Sequence, residues 1–343
     1  MPNSNQTIAF FSVDMVDSTK FKRENREIWP RYFRAFSQHF PAQIKGFWDA
    51  AFKSFDEDKY VGKTDPEPGY LKDIEDWIAK VSDRESLEHA TAKEGPSEWK
   101  SLGDEIIFAK AITHPGELFL SLLLFHRFMQ IKGKYRPASE HMPGVDHSKV
   151  PYVKVKGTVW LSTVYQFEEK HDGPADASAR NISSVVRSGE EMIAKEFLGP
   201  DIDEGFRVAT FSESDYITLS VHSALFFLAA RSLFTVGMDF SLERGKALKG
   251  LDTKAKYPKI FVRTTKLDEE KEKDESLIDQ IYSKKYIAPK DKIYESVLEF
   301  LEENVEHLGY PRIALPNGNE YWLENDKKYG WRFREYEAEG GKD

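Results

Sequence analysis

The sequence predicts an α/β or α+β sandwich with one main domain and a C-terminal extension. A continuous apolar run rich in β formers, TIAFFSV at residues 7–13, is typical of a central strand covered on both faces. Two other regions, 99–132 and 215–230, each join strand-like segments to an apolar helix-like one. This alternation places a sheet against helices, and a chain of 343 residues is long enough to bury the core between them.

The segment after the first strand predicts a helix. Asp17, Ser18 and Thr19 supply helix N-cap chemistry directly after the apolar run. Residues 21–36, FKRENREIWPRYFRAF, continue as one helix with an aromatic face. The stretch from about 55 to 98 is charged and mixed, and it predicts an insertion of short helices and loops.

The remaining elements are predicted from local patterns of turn residues, alternation and helix starts. They are a hairpin at 99–109 with Gly103-Asp104 in the turn, a helix from Pro115 to about 132, a strand at 150–164, an insertion at about 170–195 whose residues 175–195 form an amphipathic helix, a strand–helix pair at 215–230 and a last core strand at 257–264. We therefore place the main domain at residues 1–265.

The extension, residues 266–343, begins with the charged run LDEEKEKDESLIDQ, which predicts a solvated linker or an exposed helix start. A helix follows at about 291–308, and then an aromatic-rich tail. We expect this tail to serve in packing or dimerisation rather than as a ligand cage.

Composition limits the kinds of function that are open. The net charge of −9 argues against a nucleic-acid partner, because phosphate contacts need a basic face. The absence of cysteine excludes disulfides and thiolate metal sites. The apolar runs at 118–125 and 224–236 are shorter than the roughly 20 residues that span a membrane. The polar N-terminus does not resemble a signal peptide, so we expect a cytoplasmic protein.

Three short motifs carry the residues of a candidate active site. FFSVDMVDST at 10–19 and KSLGDEIIF at 100–108 each place one aspartate, Asp14 and Asp104, at a strand end beside a tight turn. EFLGPDIDEGFR at 196–207 places Arg207 four residues after Asp203 and eleven after Glu196. Two carboxylates for divalent cations and an arginine for a phosphate are the equipment of nucleotidyl transfer.

Each motif also has an ordinary structural interpretation. Asp14 and Asp17 fit a strand-end turn and a helix cap, and KSLGDE fits any hairpin with a Gly-Asp turn. Arg207 fits a surface ion pair. His126 and His222 lie in apolar contexts typical of hydrogen-bonded core residues. The co-occurrence of the three motifs, in this order, favours the functional interpretation.

The three motifs resemble those of the class III nucleotidyl cyclases, the family of adenylate and guanylate cyclases. The resemblance covers roughly residues 7–265 and implies an α+β fold with a ferredoxin-like βαββαβ core. It implies metal binding by Asp14, Met15 and Asp104, with two Mn²⁺ or Mg²⁺ ions per site. Phosphate contacts would come from the backbone amides around Val16–Thr19, which include Ser18 and Thr19, and from Lys249 in the Leu248-Lys249-Gly250 segment.

The resemblance also implies how substrate is recognised and turned over. Arg207 would stabilise the α-phosphoryl group during attack by the ribose 3′-hydroxyl, with Asp203 on the ribose side. Lys100 and Glu196 would read the base, since a lysine donates and a carboxylate accepts. Adenine and uracil both present an acceptor beside a donor, so these two residues leave ATP and UTP open.

Two departures from adenylate cyclases bear on the substrate. Asp203 stands where those enzymes usually have asparagine, and Glu196 stands where they normally have aspartate. The longer reach of Glu196 suits a smaller base. The form GPDIDEGFR, together with the long insertions, resembles the bacterial pyrimidine cyclases of Pycsar anti-phage systems, in particular the uridylate cyclases that make cUMP.

The sequence thus predicts an enzyme that converts UTP to 3′,5′-cyclic UMP and pyrophosphate, with ATP as the alternative substrate. In the family the metal aspartates and the Lys/Glu/Arg set come from opposite subunits, which implies a homodimer with two composite sites. Two other functions stay open. One is a catalytically silent cyclase-fold module that binds a nucleotide or a protein, for which Asp203 is the best support. The other is a transferase that joins nucleotides instead of cyclising one.

Overall fold

The computed structural model describes most of the chain, with gaps. The residues described are 5–56, 95–112, 115–166, 180–188, 191–230, 240–251, 253, 256–264, 290–309, 311–314, 320–326 and 330–336. The predicted insertion at 55–98 and the charged run after 266 lie almost wholly outside these ranges.

Strands and helices alternate along the described residues. The strands are β1 (Asn5–Met15), β2 (Ser97–Ser101), β3 (Glu105–Ala111), β4 (Lys134–Tyr135), β5 (Val153–Gln166), β6 (Ile182–Ser188), β7 (Glu191–Leu198), β8 (Tyr216–Leu219), β9 (Phe240–Lys246), β10 (Tyr257–Arg263), β11 (Arg312–Ala314), β12 (Glu320–Asp326) and β13 (Gly330–Tyr336). The helices are α1 (Ser18–Glu24), α2 (Trp29–Asp56), α3 (Pro115–Lys132), α4 (Pro200–Ala209), α5 (Val221–Ala230), α6 (Lys290–Glu303) and α7 (Val305–Leu308).

The main sheet has the strand order β2-β3-β1-β5-β8-β10-β9. Central strand β1 is antiparallel to both β3 and β5, whereas β8 runs parallel to β5. In chain order the first part reads β1, α1 with α2, β2 and β3, α3, then β5. This confirms the predicted α+β class with a βαββαβ core.

One face of the sheet is covered by helices. Successive side chains of a strand point to opposite faces, and Phe11 and Val13 of β1 enter the larger core. Aromatic side chains from α2 and α3 fill it, including Phe36, Phe40 and Phe125, all fully buried. The long apolar runs of α3 and α5 are therefore core helices, as the sequence predicts.

The opposite face carries a smaller aromatic cluster, centred on Phe10. Its ring stacks on Trp160 of β5 at 5.2 Å and meets Phe197 of β7 edge-on at 5.1 Å. Helix α4 lies directly on this cluster at Gly205, where a Cβ would fall 2.3 Å from the Trp160 indole. Only glycine permits that approach, and it fixes the height of α4 above the sheet.

The predicted single helix at 21–36 is wrong, because α1 ends at Glu24 and α2 begins at Trp29. The Asn25 amide donates to the Phe21 carbonyl, and its side chain does so over 3.1 Å, which closes α1. Pro30, which lacks an amide hydrogen, then falls in the first turn of α2, where helices tolerate it.

The predicted amphipathic helix at 175–195 is also wrong for its described residues, which form the antiparallel pair β6–β7. Ile182 pairs with Tyr165 of β5, so the hairpin is attached to the main sheet. The β-branched Ile182, Val185 and Val186 favour a strand over a helix.

The described part of the C-terminal extension packs on the main core. Ile293, Val297 and Leu301 of α6 are buried in the same cluster as the sheet and its helices. The Ala314 amide of β11 donates to Thr7 Oγ1 of β1 over 2.9 Å. Asn304 separates α6 from α7 within the predicted helix at 291–308. Among the described helices, none has the length and apolar character needed to cross a membrane.

Candidate active site

Asp14 and Asp104 are held at one end of the sheet. Asp14 is the next-to-last residue of β1, and Asp104 lies in the turn between β2 and β3. Gly103 has φ of 86°, a left-handed conformation that glycine adopts without strain. The Met15 amide donates to the Asp104 carbonyl over 3.0 Å, which ties the strand end to the turn.

Each of these aspartates has a lysine neighbour. Lys156 of β5 lies opposite Asp14 in the strand pairing, and its Nζ is 3.1 Å from Asp14 Oδ2. Lys22 of α1 is 3.9 Å from Asp104 Oδ1. Burial raises the pKa of the Asp14 carboxyl; the Lys156 ammonium opposes this shift, and the Asp104 carboxylate adds to it.

Glu105 adds a third carboxylate that sequence reasoning missed. It is the β3 partner of Asp14, and its Oε1 accepts a hydrogen bond of 2.5 Å from the Ser12 hydroxyl. Burial raises the pKa of Glu105, the Ser12 hydrogen bond lowers it, and Asp14 raises it further. Its proximity to Asp14 depends on strand register, which the motif does not reveal.

The pair Asp14 and Asp104 suits Mg²⁺ or Mn²⁺, which are commonly bound by one or two carboxylates together with waters and substrate phosphates. Within the described ranges, no three His, Asp or Glu side chains converge as a metal site without such outside ligands. The Lys156 ammonium already places one positive charge beside Asp14. The donor set therefore fits metal that arrives with a phosphate-bearing substrate.

The turn into α1 differs from its predicted form. Asp17 adopts a left-handed conformation with φ of 54°, and its side chain makes no capping hydrogen bond, so the side-chain cap prediction is wrong. The Val16 amide donates to the Lys154 carbonyl over 2.9 Å and is not available to a ligand. Ser18 and Thr19 begin α1, with Thr19 exposed.

Lys100 and Glu196 are in direct contact. Lys100 of β2 reaches Glu196 Oε2 of β7 at 2.6 Å, and its ammonium lies 4.8 Å from the centre of the Trp99 ring. Both side chains are about one-third exposed, at 32% and 31%. The pair thus combines a donor and an acceptor in a position that a ligand can reach.

The start of α4 is anchored by buried hydrogen bonds. Asn181 donates to the Asp201 carboxylate over 2.7 Å and accepts from the Asp201 amide over 3.0 Å. Asp203 lies in the first turn and Arg207 in the last, four residues apart and hence on the same side of the helix. Asp203 is exposed, and Arg207 is half-buried.

The Arg207 guanidinium lies against the turn that follows β9. A Cβ on Gly250 would fall 2.8 Å from Arg207 Nη2, and Gly250 has φ of 81°. Lys249, the preceding residue, is exposed. Arg207 Nε is buried and has no hydrogen-bond partner among the described residues, so this donor would reach a ligand only after the side chain moved.

A second feature that sequence reasoning missed lies behind this helix. Glu204 is buried, and the Tyr257 hydroxyl donates a short hydrogen bond to its Oε1. The Tyr257 oxygen accepts from the Val221 amide over 2.8 Å. Burial raises the pKa of Glu204, and the nearby His222 opposes the shift.

Both predicted core histidines have partners, since His222 contacts the Gly309 carbonyl at 3.1 Å and His126 the Arg263 carbonyl at 2.6 Å.

The structure thus brings the predicted residues into three groups: Asp14 with Asp104, Lys100 with Glu196, and Arg207 with the Lys249 turn. The first two groups share a sheet face. Asp14 is four residues after Phe10 in β1, so the two side chains point to the same face of the sheet. Lys100 pairs with Ile107, which belongs to the Phe10 cluster on that face. Helix α4, which carries Arg207, lies on this same face.

Comparisons with known proteins give matches to solved structures alone. No family model matches the chain, and no curated protein matches it in sequence. The solved structures include the catalytic core of a rhodopsin-guanylyl cyclase with converted specificity, in complex with ATPalphaS. Its identity is 8% and its TM-score 0.37, over 76% of this chain and 96% of that one.

Two further matches are adenylyl cyclases. One, from P. aeruginosa, has 9% identity and a TM-score of 0.36, over 78% of this chain and 98% of that one. The other, from Trypanosoma brucei, has 10% identity and a TM-score of 0.36, over 75% and 89%. These values are too low to say anything about activity. The assignment of the fold depends on the chain's own strand order.

Proposed function

We propose that this chain is a class III nucleotidyl cyclase, a phosphorus–oxygen lyase that forms a 3′,5′-cyclic nucleotide and pyrophosphate from a nucleoside triphosphate. The observation that carries the proposal is that Asp14 and Asp104 lie together at one end of the sheet. These two residues come from separate motifs, and the Met15–Asp104 hydrogen bond holds their backbones together. Lys100 of the second motif and Glu196 of the third form a base-reading pair, and the third motif adds Arg207 on the same face.

Asp14 and Asp104, with Met15 beside them, would hold two Mn²⁺ or Mg²⁺ ions. Bound there, the ions would lower the pKa of the ribose 3′-hydroxyl and neutralise charge on the leaving pyrophosphate. The Arg207 guanidinium would donate to the α-phosphoryl oxygens as charge builds up in the transition state. Lys249 and the start of α1 at Ser18 and Thr19 would contact the remaining phosphates.

Lys100 and Glu196 would read the base. Their 2.6 Å ion pair presents one donor and one acceptor side by side, which matches the edge of uracil or adenine. A uracil ring would insert between the two charged groups and replace their mutual contact with two hydrogen bonds. The greater length of Glu196 relative to aspartate favours UTP, so we propose cyclic UMP as the product, acting as a second messenger in anti-phage defence. ATP is the alternative substrate.

The active form would be a cytoplasmic homodimer in which each site combines two subunits. Lys100 lies in β2, whereas Asp104 lies in the turn between β2 and β3. Two sites related by a two-fold axis would use Lys100 in one and Asp104 in the other. Asp203 would lie on the ribose side of each site.

The test is an assay of the purified chain with Mn²⁺ and each of ATP, GTP, CTP and UTP separately, with products identified by mass spectrometry. We expect cyclic UMP from UTP and no product from Asp14→Asn. Cyclic AMP alone would keep the reaction and overturn the substrate. Dinucleotide or linear products would indicate a transferase. Absence of product from every nucleotide, alongside a Mn²⁺-dependent thermal shift with nucleotide, would indicate a silent binding module.

A further inference from the structure

Lys156, like Glu105, is a residue of this site that the sequence motifs do not predict. Its Nζ lies beside one aspartate of the candidate metal site, 3.1 Å from Asp14 Oδ2, and 22% of its side chain is exposed. It also faces Glu105, the neighbour of Asp14 on the other strand, and acts electrostatically on that carboxylate too. One ammonium therefore interacts electrostatically with two of the three carboxylates at this end of the sheet.

Structural stabilisation does not explain this placement well. Asp14 and Lys156 are each about one-quarter exposed, and ion pairs that remain in contact with water contribute little to folding. The ammonium instead has the charge and the position of a bound cation. Without it, Asp14, Asp104 and Glu105 would place three carboxyl groups at this end of the sheet, where the other ion pair among the described residues is that of Lys22 with Asp104 at 3.9 Å.

We propose that Lys156 is a tethered cation that neutralises Asp14 in the nucleotide-free chain and must be displaced before a divalent ion binds there. A metal ion alone competes poorly with the Lys156 ammonium for Asp14. It must break the ion pair, and the displaced ammonium remains close enough to repel it. Metal accompanied by a triphosphate competes better, since the triphosphate offers the displaced ammonium an anionic partner. Lys156 thereby makes metal loading depend on substrate. This inference depends on the proposed function only in taking Asp14 as a metal ligand.

A matched control lies two residues away on the same strand and the same face. Lys154 forms an ion pair with Asp215 at 2.8 Å and has no contact with Asp14 in the described structure. Lys154→Met removes the same charge and the same hydrogen-bonding group as Lys156→Met. It separates the effect of position from a general change in net charge.

The experiment is a titration of metal-free, full-length protein with Mn²⁺ alone, monitored by the electron paramagnetic resonance signal of free Mn²⁺. We expect Lys156→Met to bind Mn²⁺ about tenfold more tightly than the unmodified chain, from the loss of one adjacent positive charge. Lys154→Met should match the unmodified chain, and Lys156→Arg should stay weak. Asp14→Asn added to Lys156→Met should abolish the gain, which assigns it to Asp14. If Lys156→Met fails to fold, Lys156→Gln serves in its place.

The inference is overturned if Lys156→Met or Lys156→Gln folds and binds Mn²⁺ no more tightly than the unmodified chain. Its failure is distinguishable from failure of the proposed function. Cyclic product with no gain in Mn²⁺ affinity would remove the role of Lys156 and keep the cyclase. A gain in affinity with no product from any nucleotide would keep the displaceable cation and remove the cyclase.

Discussion

The guanidinium of Arg207 lies against the backbone of Gly250, so close that a Cβ on Gly250 would fall 2.8 Å from Nη2. The two residues belong to separate elements, α4 and the turn after β9. The turn also carries Lys249, so one backbone segment both presents a lysine and limits where the arginine side chain lies. This contact couples the two residues proposed to bind phosphate.

Gly250→Ala should therefore reduce catalysis more than stability. The guanidinium is the far end of a flexible side chain and moves away from the new methyl group, and a displacement of about 1 Å at a catalytic group can lower kcat by roughly 100-fold. The left-handed backbone adds a stability loss of about 1–2 kcal/mol. Steady-state kinetics and urea unfolding measure the two effects.

Gly144→Ala is the control for backbone strain. Gly144 has φ of 75°, and its added Cβ would come no closer than 3.9 Å to Arg31 Nη1. It should lose similar stability and retain its activity. Equal activity losses in both variants would show that the Arg207 contact has no part in catalysis.

Much of the fold was accessible from the sequence because its signals are local. The apolar run of β1, the Gly103-Asp104 turn and the proline at the start of α3 each specify their own element. The errors arose where partners decided the outcome. Residues 182–188 form a strand because they pair along their length with β7, and because Ile182 also pairs with Tyr165 of β5.

The residues of the candidate site also fall into two groups, those that local motifs predict and those that depend on strand pairing. Asp14, Asp104 and Arg207 stand in motifs that can be recognised by spacing. Lys156 and Glu105 reach Asp14 only through the register of β5 and β3, which no motif encodes. The burial of Glu204, next to the exposed Asp203, follows from the orientation of α4 on the sheet.

Glu196→Asp should move nucleotide preference from UTP towards ATP. The substitution keeps the charge but withdraws the acceptor by one methylene, which weakens contact with the smaller base. We expect kcat/KM for UTP to fall by about tenfold, the equivalent of one hydrogen bond of 1.4 kcal/mol, and the ATP-to-UTP ratio of kcat/KM to rise. Competition assays with both nucleotides measure this ratio directly.

The exposed Glu306 on α7 provides the matched substitution, Glu306→Asp, which should leave the ratio unchanged. If Glu196→Asp lowers kcat/KM for every nucleotide alike, Glu196 supports the site without reading the base.

Glu204 should make stability depend on pH. Burial raises the pKa of Glu204 in the folded chain, with opposing effects from His222 and the Tyr257 hydrogen bond; Asp201 adds to the shift and Arg180 opposes it. As pH rises above the ordinary glutamate pKa, the unfolded chain releases this proton while the folded chain retains it. The contribution is thus fully present below the ordinary pKa and is lost as pH rises through the folded pKa.

Glu204→Gln removes this titration and keeps an oxygen that accepts from Tyr257. Its free energy of unfolding should be close to that of the unmodified chain near pH 4 and exceed it increasingly towards pH 8, as measured by urea unfolding at each pH. Glu302→Gln, at an exposed position of α6, should show no such divergence. Parallel pH profiles for Glu204→Gln and the unmodified chain would mean that Glu204 stays protonated, or stays ionised, throughout this range.

A composite site predicts complementation between inactive variants. Asp14→Ala removes a metal ligand and Arg207→Ala removes the transition-state contact, so homodimers of either should be inactive. A heterodimer concentrates both defects in one site and leaves the other intact. Random mixing makes half of the dimers heterodimers, each with one of two sites working, so the mixture should recover about a quarter of the unmodified activity.

Differently tagged chains, purified through both tags, allow the heterodimer to be assayed alone, where about half the activity is expected. Doubly tagged heterodimers without activity would place all the catalytic residues of a site within one chain.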